Sequence, residues 1–70
     1  MINIKIKENL KQLMKDNNVN QPKLSTDINV AQSAISAWLN GKKEPSINSL
    51  WLLADYFNVS IDELVGRKDF

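Results

Sequence analysis

Residues 21–40 read QPKLSTDINVAQSAISAWLN and combine two apolar patterns of helical spacing with a short break between them. Two helices that cross steeply over a turn of three or four residues need a small side chain where they touch and a residue that tolerates positive φ at the corner. Ser25 and Asn29 meet those needs, although alanine and glycine are the commoner residues. The stretch therefore predicts a helix-turn-helix. Its apolar positions are Leu24, Ile28, Val30, Ile35 and Trp38.

Local signals mark the ends of these two helices. Asn20 is a good N-cap, and Pro22 falls in the first helical turn, where its missing N–H has no intrahelical partner to lose. We expect this helix to end at Asn29. The next helix is predicted from about Gln32 to Leu39, because Gly41 takes positive φ at no steric cost and closes it.

One further helix is predicted on each side of this unit. The preceding helix runs from about Ile4 to Asp16 and closes at the asparagines 17–18, a residue type that tolerates the left-handed conformation. The following helix is capped by Ser46 and ends at Asn58. The expected core stripes are Ile6, Leu10, Leu13 and Met14 in the former, and Ile47, Leu50, Leu53, Ala54 and Phe57 in the latter.

A fifth helix begins with the clearest local signal in the chain. Ser60 and Glu63 have capping-box spacing, and Val59 and Leu64 stand where the two members of a hydrophobic staple belong. Gly66 then closes the helix. The fold class is therefore all-α, with five helices.

Length and composition limit the organisation of the chain. Seventy residues, 43% of them hydrophobic and 24% charged, form at most one compact domain. We assign residues 1–66 to that domain and residues 67–70 to a C-terminal tail. Cysteine is absent, and the N-terminal stretch lacks the apolar run of a signal peptide. No window approaches the roughly 20 apolar residues of a membrane span, so we expect a cytoplasmic protein that does not enter a membrane.

The net charge of +1 hides an asymmetry along the chain. The residues up to Lys43 include seven lysines and three carboxylates, which gives a net charge of +4. From Glu44 onward, two cations face five carboxylates, which leaves −3. The distribution indicates one basic side able to meet a polyanion, although a split of this kind is often only a solvated face.

Two further segments carry a family resemblance. Residues 35–46, ISAWLNGKKEPS, resemble the recognition helix and basic turn of the lambda-repressor-like, Cro/CI-type helix-turn-helix family, also called the XRE family. Residues 59–66, VSIDELVG, resemble the usual ending of that domain. The resemblance covers nearly the whole chain and implies a transcriptional regulator, most simply a repressor, that reads a palindromic operator in double-stranded DNA as a homodimer. It implies no cofactor.

The resemblance also implies roles for individual residues. Gln32 would bind an adenine edge in the major groove, braced by Gln21, while Ser33 would reach a base edge and the Ala37 methyl would contact a thymine methyl. Trp38 is expected in the core rather than as a platform for stacked bases. The implied base contacts are Gln32, Ser33, Ser36 and Ala37, and the implied phosphate contacts are Gln21, Lys23, Asn40, Lys42 and Lys43.

A second group of apolar side chains stands beside the predicted core stripe of the fourth helix. Partial burial there is the favoured interpretation, with exposure as the alternative. Exposed side chains would form a symmetric dimer contact. The candidate dimer surface comprises Trp51, Leu52, Tyr56, Val65 and Phe70.

The sequence leaves functions other than DNA binding open. An enzyme is disfavoured, because the chain has no histidine or cysteine and its carboxylates show no pairing suited to acid-base catalysis. A protein-interaction module that kept the fold without binding DNA is the main alternative, since a single arginine is modest for a DNA-binding protein. An antitoxin is the third, and a toxin or an anti-repressor is then a candidate partner.

Overall fold

The computed structural model describes residues 5–66, and the regular structure in this range is entirely helical. The predicted tail, residues 67–70, lies outside the described residues. The all-α prediction is confirmed, with the helix-turn-helix formed by the second and third helices. The five helices are α1 (Ile6–Asp16), α2 (Gln21–Ile28), α3 (Gln32–Leu39), α4 (Ile47–Phe57) and α5 (Ile61–Val65).

The turn between α2 and α3 forms for the reasons expected. The Asn20 side chain accepts a hydrogen bond of 2.9 Å from the Lys23 N–H and caps α2. Asn29 adopts the left-handed conformation, with φ of 57°. Ser25 also donates a hydrogen bond of 2.6 Å from its hydroxyl to the Val30 carbonyl. Its hydroxyl therefore ties α2 to the turn, which accounts for serine where alanine would satisfy packing alone.

The helix ends depart from the predictions at one place. Asn18 takes the same φ of 57° as Asn29, as expected, and Asn58 takes it at the predicted end of α4. The predicted start of α1 at about Ile4 is wrong, because the helix begins at Ile6. The N–H of Lys5, the preceding residue, donates to the Val65 carbonyl at 2.9 Å. A contact with α5 thus sets the start of α1, and local helix signals do not reveal it.

The core contains one buried cluster with contributions from all five helices. Most predicted apolar positions are buried, while Leu13, Val30 and Leu50 are only half-buried. The prediction that Ile47 belongs to the core stripe of α4 is wrong. This residue begins the helix, and its side chain is 73% exposed. The buried side chains are Ile6, Leu10, Met14, Leu24, Ile28, Ile35, Trp38, Leu39, Leu53, Ala54, Phe57 and Leu64.

The last helix is fastened to the first by an amide side chain. Asn9 Nδ2 donates to the carbonyls of Glu63 at 3.2 Å and Leu64 at 3.0 Å. Ser60 accepts a hydrogen bond from the Glu63 N–H at 3.0 Å and caps α5, as its sequence signal indicated. With only five residues, α5 cannot persist alone and depends on these tertiary contacts.

Candidate nucleic-acid interface

One face of α3 is available for contact while the other is committed to the core. Ile35, Trp38 and Leu39 are buried, as predicted, so Trp38 is not a surface for stacking bases. Among the four positions assigned to base contacts, the first two are exposed and the last two are half-buried. At a rise of about 1.5 Å per residue, all four lie within roughly 8 Å along the helix axis. They are Gln32, Ser33, Ser36 and Ala37.

The segment after α3 carries exposed cations on a fixed turn. Gly41 has φ of 73°, a conformation that favours glycine. The N–H groups of Lys42 and Lys43 then reach back to the Ala37 carbonyl, at 2.9 and 3.4 Å. Asn40 Nδ2 donates to the Ser36 hydroxyl at 3.4 Å. The backbone of this turn is thereby held against the end of α3, and both lysine side chains face solvent.

The brace of Gln32 by Gln21 would join the first residues of α2 and α3. Gln21 is the first residue of α2 and is half-buried. Among the hydrogen bonds of residues 5–66, none joins Gln21 to Gln32. The brace that the family resemblance implies between these two side chains therefore stays a prediction.

Lys23 and Tyr56 both contact the carboxylate of Asp27. The Lys23 Nζ lies 3.2 Å from Asp27 Oδ2, one helical turn along α2. The same carboxylate oxygen accepts a hydrogen bond of 2.6 Å from the Tyr56 hydroxyl on α4. The Tyr56 bond and the neighbouring Lys23 lower the pKa of Asp27, while the bond to Asp27 raises the pKa of Tyr56. This network joins the second helix to the fourth.

Tyr56 makes a contact that the sequence did not predict. Partial burial was the favoured prediction for this residue and a dimer contact the alternative; its hydroxyl donates a hydrogen bond to Asp27 within the chain. The two residues are 29 positions apart, and no local pattern links them. The helical spacing of the apolar residues in α4 indicates only that Tyr56 lies beside the buried stripe.

An apolar patch is exposed on α4. Trp51 is 63% exposed and Leu52 is 43% exposed, so the favoured partial burial is wrong for both, whereas it is confirmed for the half-buried Tyr56. Ile47, one helical turn before Trp51, extends the patch. We call Ile47, Trp51 and Leu52 the α4 patch. Of the other residues assigned to a dimer surface, Val65 is half-buried and Phe70 lies outside the described residues.

Residues 5–66 contain no cluster of three or more histidine, cysteine, aspartate or glutamate side chains suited to a metal ion. Within that range the helices are also too short or too polar for any of them to cross a bilayer.

Comparison with known proteins identifies the family. A family profile described as helix-turn-helix matches residues 10–64, which include most of α1 and all of α2, α3 and α4. The chain is 37% identical over 62 residues to the HTH-type transcriptional activator BcrR of Enterococcus faecalis, covering 89% of this chain and 30% of that protein. It is 33% identical over 64 residues to the cryptic phage CTXphi transcriptional repressor RstR of Vibrio cholerae, covering 91% of this chain and 57% of that protein.

A solved structure shows the same arrangement of helices. The crystal structure of a transcriptional regulator from Listeria innocua superposes with a TM-score of 0.88 at 33% sequence identity, covering 99% of this chain and 64% of that one. The chain thus spans between about a third and two thirds of the length of these relatives. The profile match over most of the chain, and the helix-turn-helix geometry of α2 and α3, show that this protein belongs to the XRE-type helix-turn-helix family.

Proposed function

We propose that this chain binds double-stranded DNA in a sequence-specific manner and regulates transcription, most simply as a repressor in the cytoplasm. One observation carries the proposal. The outward face of α3 presents amide, hydroxyl and methyl groups within one groove's width, and its inward face anchors it rigidly in the core. The relatives include both an activator and a repressor. We therefore base the repressor assignment on one argument. A protein that occupies an operator can block transcription without an additional domain.

The roles of the α3 side chains follow from their chemistry. Gln32 is exposed at the first residue of the helix, where an amide can donate to N7 and accept from N6 of an adenine. Ser33 is exposed beside it and can reach a neighbouring base edge. Ser36 and Ala37 follow one turn later, and the Ala37 methyl suits a thymine methyl. A bidentate glutamine contact discriminates against a wrong base by about 1–3 kcal/mol, so Gln32 carries most of the direct readout.

Phosphate contacts would position α3 in the groove. The exposed side chains of Asn40, Lys42 and Lys43 lie at its end, and Gln21 with Lys23 lies at the start of α2. Contacts of this kind fix register and orientation but carry no sequence information. Lys23 would have to share its ammonium group between Asp27 and a phosphate.

A homodimer on the operator completes the proposal. Two copies would double the phosphate contacts and read half-sites about one helical turn apart. The α4 patch supports a protein contact, because clustered exposed apolar side chains mark interaction surfaces. Trp51→Ser is expected to abolish dimerisation on DNA while leaving the fold intact, since Trp51 is mostly outside the core. Analytical ultracentrifugation with a fluorescent operator duplex measures the change.

The α4 patch also supports a second candidate function. A toxin or an anti-repressor could occupy it, in a protein that uses the same fold as an interaction or antitoxin module. This alternative differs from a DNA-binding regulator in its response to salt. Binding of duplex DNA through several lysines weakens steeply with salt, by about 0.9 in log K per log salt for each phosphate neutralised. No catalytic role is proposed for either function.

Selection from random duplexes tests the proposed function. The wild-type chain is expected to enrich a palindromic motif. Gln32→Ala is expected to relax preference at one base pair per half-site, whereas Lys43→Ala weakens all duplexes alike. The absence of an enriched motif would contradict the proposal. Identical selection profiles for the two variants would contradict the assigned roles.

A further inference from the structure

The first turn of α1 approaches the basic turn that follows α3. A Cβ atom placed on Gly41 would lie 3.5 Å from Lys7 Cδ and 4.0 Å from Lys7 Nζ. The lysine stem thus crosses the peptide at Gly41, and its ammonium group ends beside the segment that carries Lys42 and Lys43. Lys7 precedes Gly41, Lys42 and Lys43 by 34 to 36 residues. The fold thus brings three cations together around this turn.

Three lysines surround this turn, against two nearby carboxylates. Within residues 5–66 the ion pair that forms is Lys23 with Asp27, so the three lysines at the turn have no carboxylate partner there. Beside the turn is an open crevice of about 330 Å³. It is lined by Lys7 and Lys43 and by two carboxylates, Glu8 and Glu44. Neither carboxylate approaches a lysine of residues 5–66 within ion-pair distance.

Local stability does not account for a lysine at this position. Lys7 is the second residue of α1, and a cation in the first turn of a helix is opposed by the helix dipole. Glu8, the next residue, has the charge that the dipole favours. The half-buried stem of Lys7 gains packing against Gly41, but a neutral side chain of similar length would gain the same.

We propose that Lys7 is a phosphate-binding residue that extends the DNA-contacting surface from α3 onto α1. The inference rests on the proposed function and adds a residue outside the helix-turn-helix to it. Each strand of duplex DNA carries one charge per about 3.4 Å of helix axis. Because its ammonium group lies beside the turn of Lys42 and Lys43, Lys7 contacts the same strand segment as that turn.

Salt titration of two matched variants tests this proposal. Lys7→Gln removes the charge and keeps most of the stem that crosses Gly41. Lys5→Gln is the control, because Lys5 is two residues away but packs its stem on Gly66, with Cβ 3.0 Å and Cδ 3.4 Å from the position of a Cβ there. Thermal unfolding of both variants verifies that the fold is retained. The affinity for the selected duplex is then measured by fluorescence anisotropy over a range of KCl concentrations.

Lys7→Gln is expected to reduce the slope of log K against log salt by about 0.9, as for the loss of one neutralised phosphate, and to leave the base preferences unchanged. A fourfold rise in salt then costs the variant about 3.5-fold less affinity than it costs the wild type. Lys5→Gln is expected to keep the wild-type slope. A wild-type slope for Lys7→Gln, or an equal reduction for both variants, overturns the proposal for Lys7.

A further variant separates this proposal from the proposed function. If Lys43→Gln reduces the slope and Lys7→Gln does not, DNA binding stands and the role of Lys7 falls. If the wild-type chain binds no duplex at any salt concentration, both fall together.

Discussion

Asn29 offers the sharpest test of how the helix-turn-helix is built. It stands at the corner between α2 and α3 with φ of 57°, and its side chain is exposed. The proposed perturbation is a pair of substitutions, Asn29→Ala and Asn29→Gly. Both remove the same amide, and they differ only in the Cβ atom that the left-handed conformation disfavours.

The magnitude follows from the backbone conformation. A residue with a Cβ atom loses about 1–2 kcal/mol in the left-handed region, a cost that asparagine reduces and glycine avoids. Glycine adds conformational entropy to the unfolded chain, which opposes folding by roughly 0.5–1 kcal/mol. We therefore expect Asn29→Ala to lower the free energy of unfolding by about 1 kcal/mol, which in a domain of this size lowers Tm by about 4–8 °C. Asn29→Gly should be close to neutral.

The assay is thermal and urea unfolding followed by circular dichroism. Asn48→Ala serves as the control, because Asn48 is exposed within α4 and alanine there should be neutral or slightly stabilising. Equal Tm values for the alanine and glycine variants at position 29 would refute the reasoning. A stabilising Asn29→Ala would refute it as well, since it would mean that the turn does not require positive φ.

Two further predictions concern contacts between helices. Asn9→Ala removes two hydrogen bonds from α1 to α5 and is expected to lower the free energy of unfolding by about 1–3 kcal/mol, measured by urea unfolding. Gln12→Ala, on the exposed surface of α1, is the control and should cost far less. Equal losses for the two variants would contradict the contact. Tyr56→Phe removes the bond to Asp27. Because the pKa of Asp27 is lowered and that of Tyr56 is raised, the stabilisation is complete between their ordinary values of 3.8 and 10.0 and is lost below and above that range. The difference in stability between wild type and Tyr56→Phe should therefore be constant near neutral pH and shrink at both extremes, and a difference that does not change with pH would contradict the bond.

The helices were predictable where short-range chemistry decides them. The N-caps Asn20 and Ser46 and the left-handed asparagines 29 and 58 leave a signal within three or four residues, so the ends of α2 and α4 lie where the sequence indicates. The helix-turn-helix was likewise predictable from Ser25 and Asn29, because its geometry depends on residues close together in the chain.

Features that depend on distant contacts were not predictable. The start of α1 is set by a hydrogen bond from Lys5 to Val65, and Tyr56 is directed to a carboxylate 29 residues away. Ile47 continues the apolar pattern of α4 but lies at its first turn, beyond the packed neighbours, so periodicity alone assigned it to the core. The approach of Lys7 to Gly41 also joins residues distant in the chain, so the spacing of residues in the sequence does not predict it.

The central claim is that the outward face of α3 and the turn after it meet DNA. Amide chemical-shift mapping by NMR, with the selected duplex titrated into labelled protein, tests it most directly. We predict that the largest shifts fall on residues 32–43, with a smaller group at the first turn of α1. Shifts concentrated on α5 and the end of α4, with α3 unchanged, would contradict the claim.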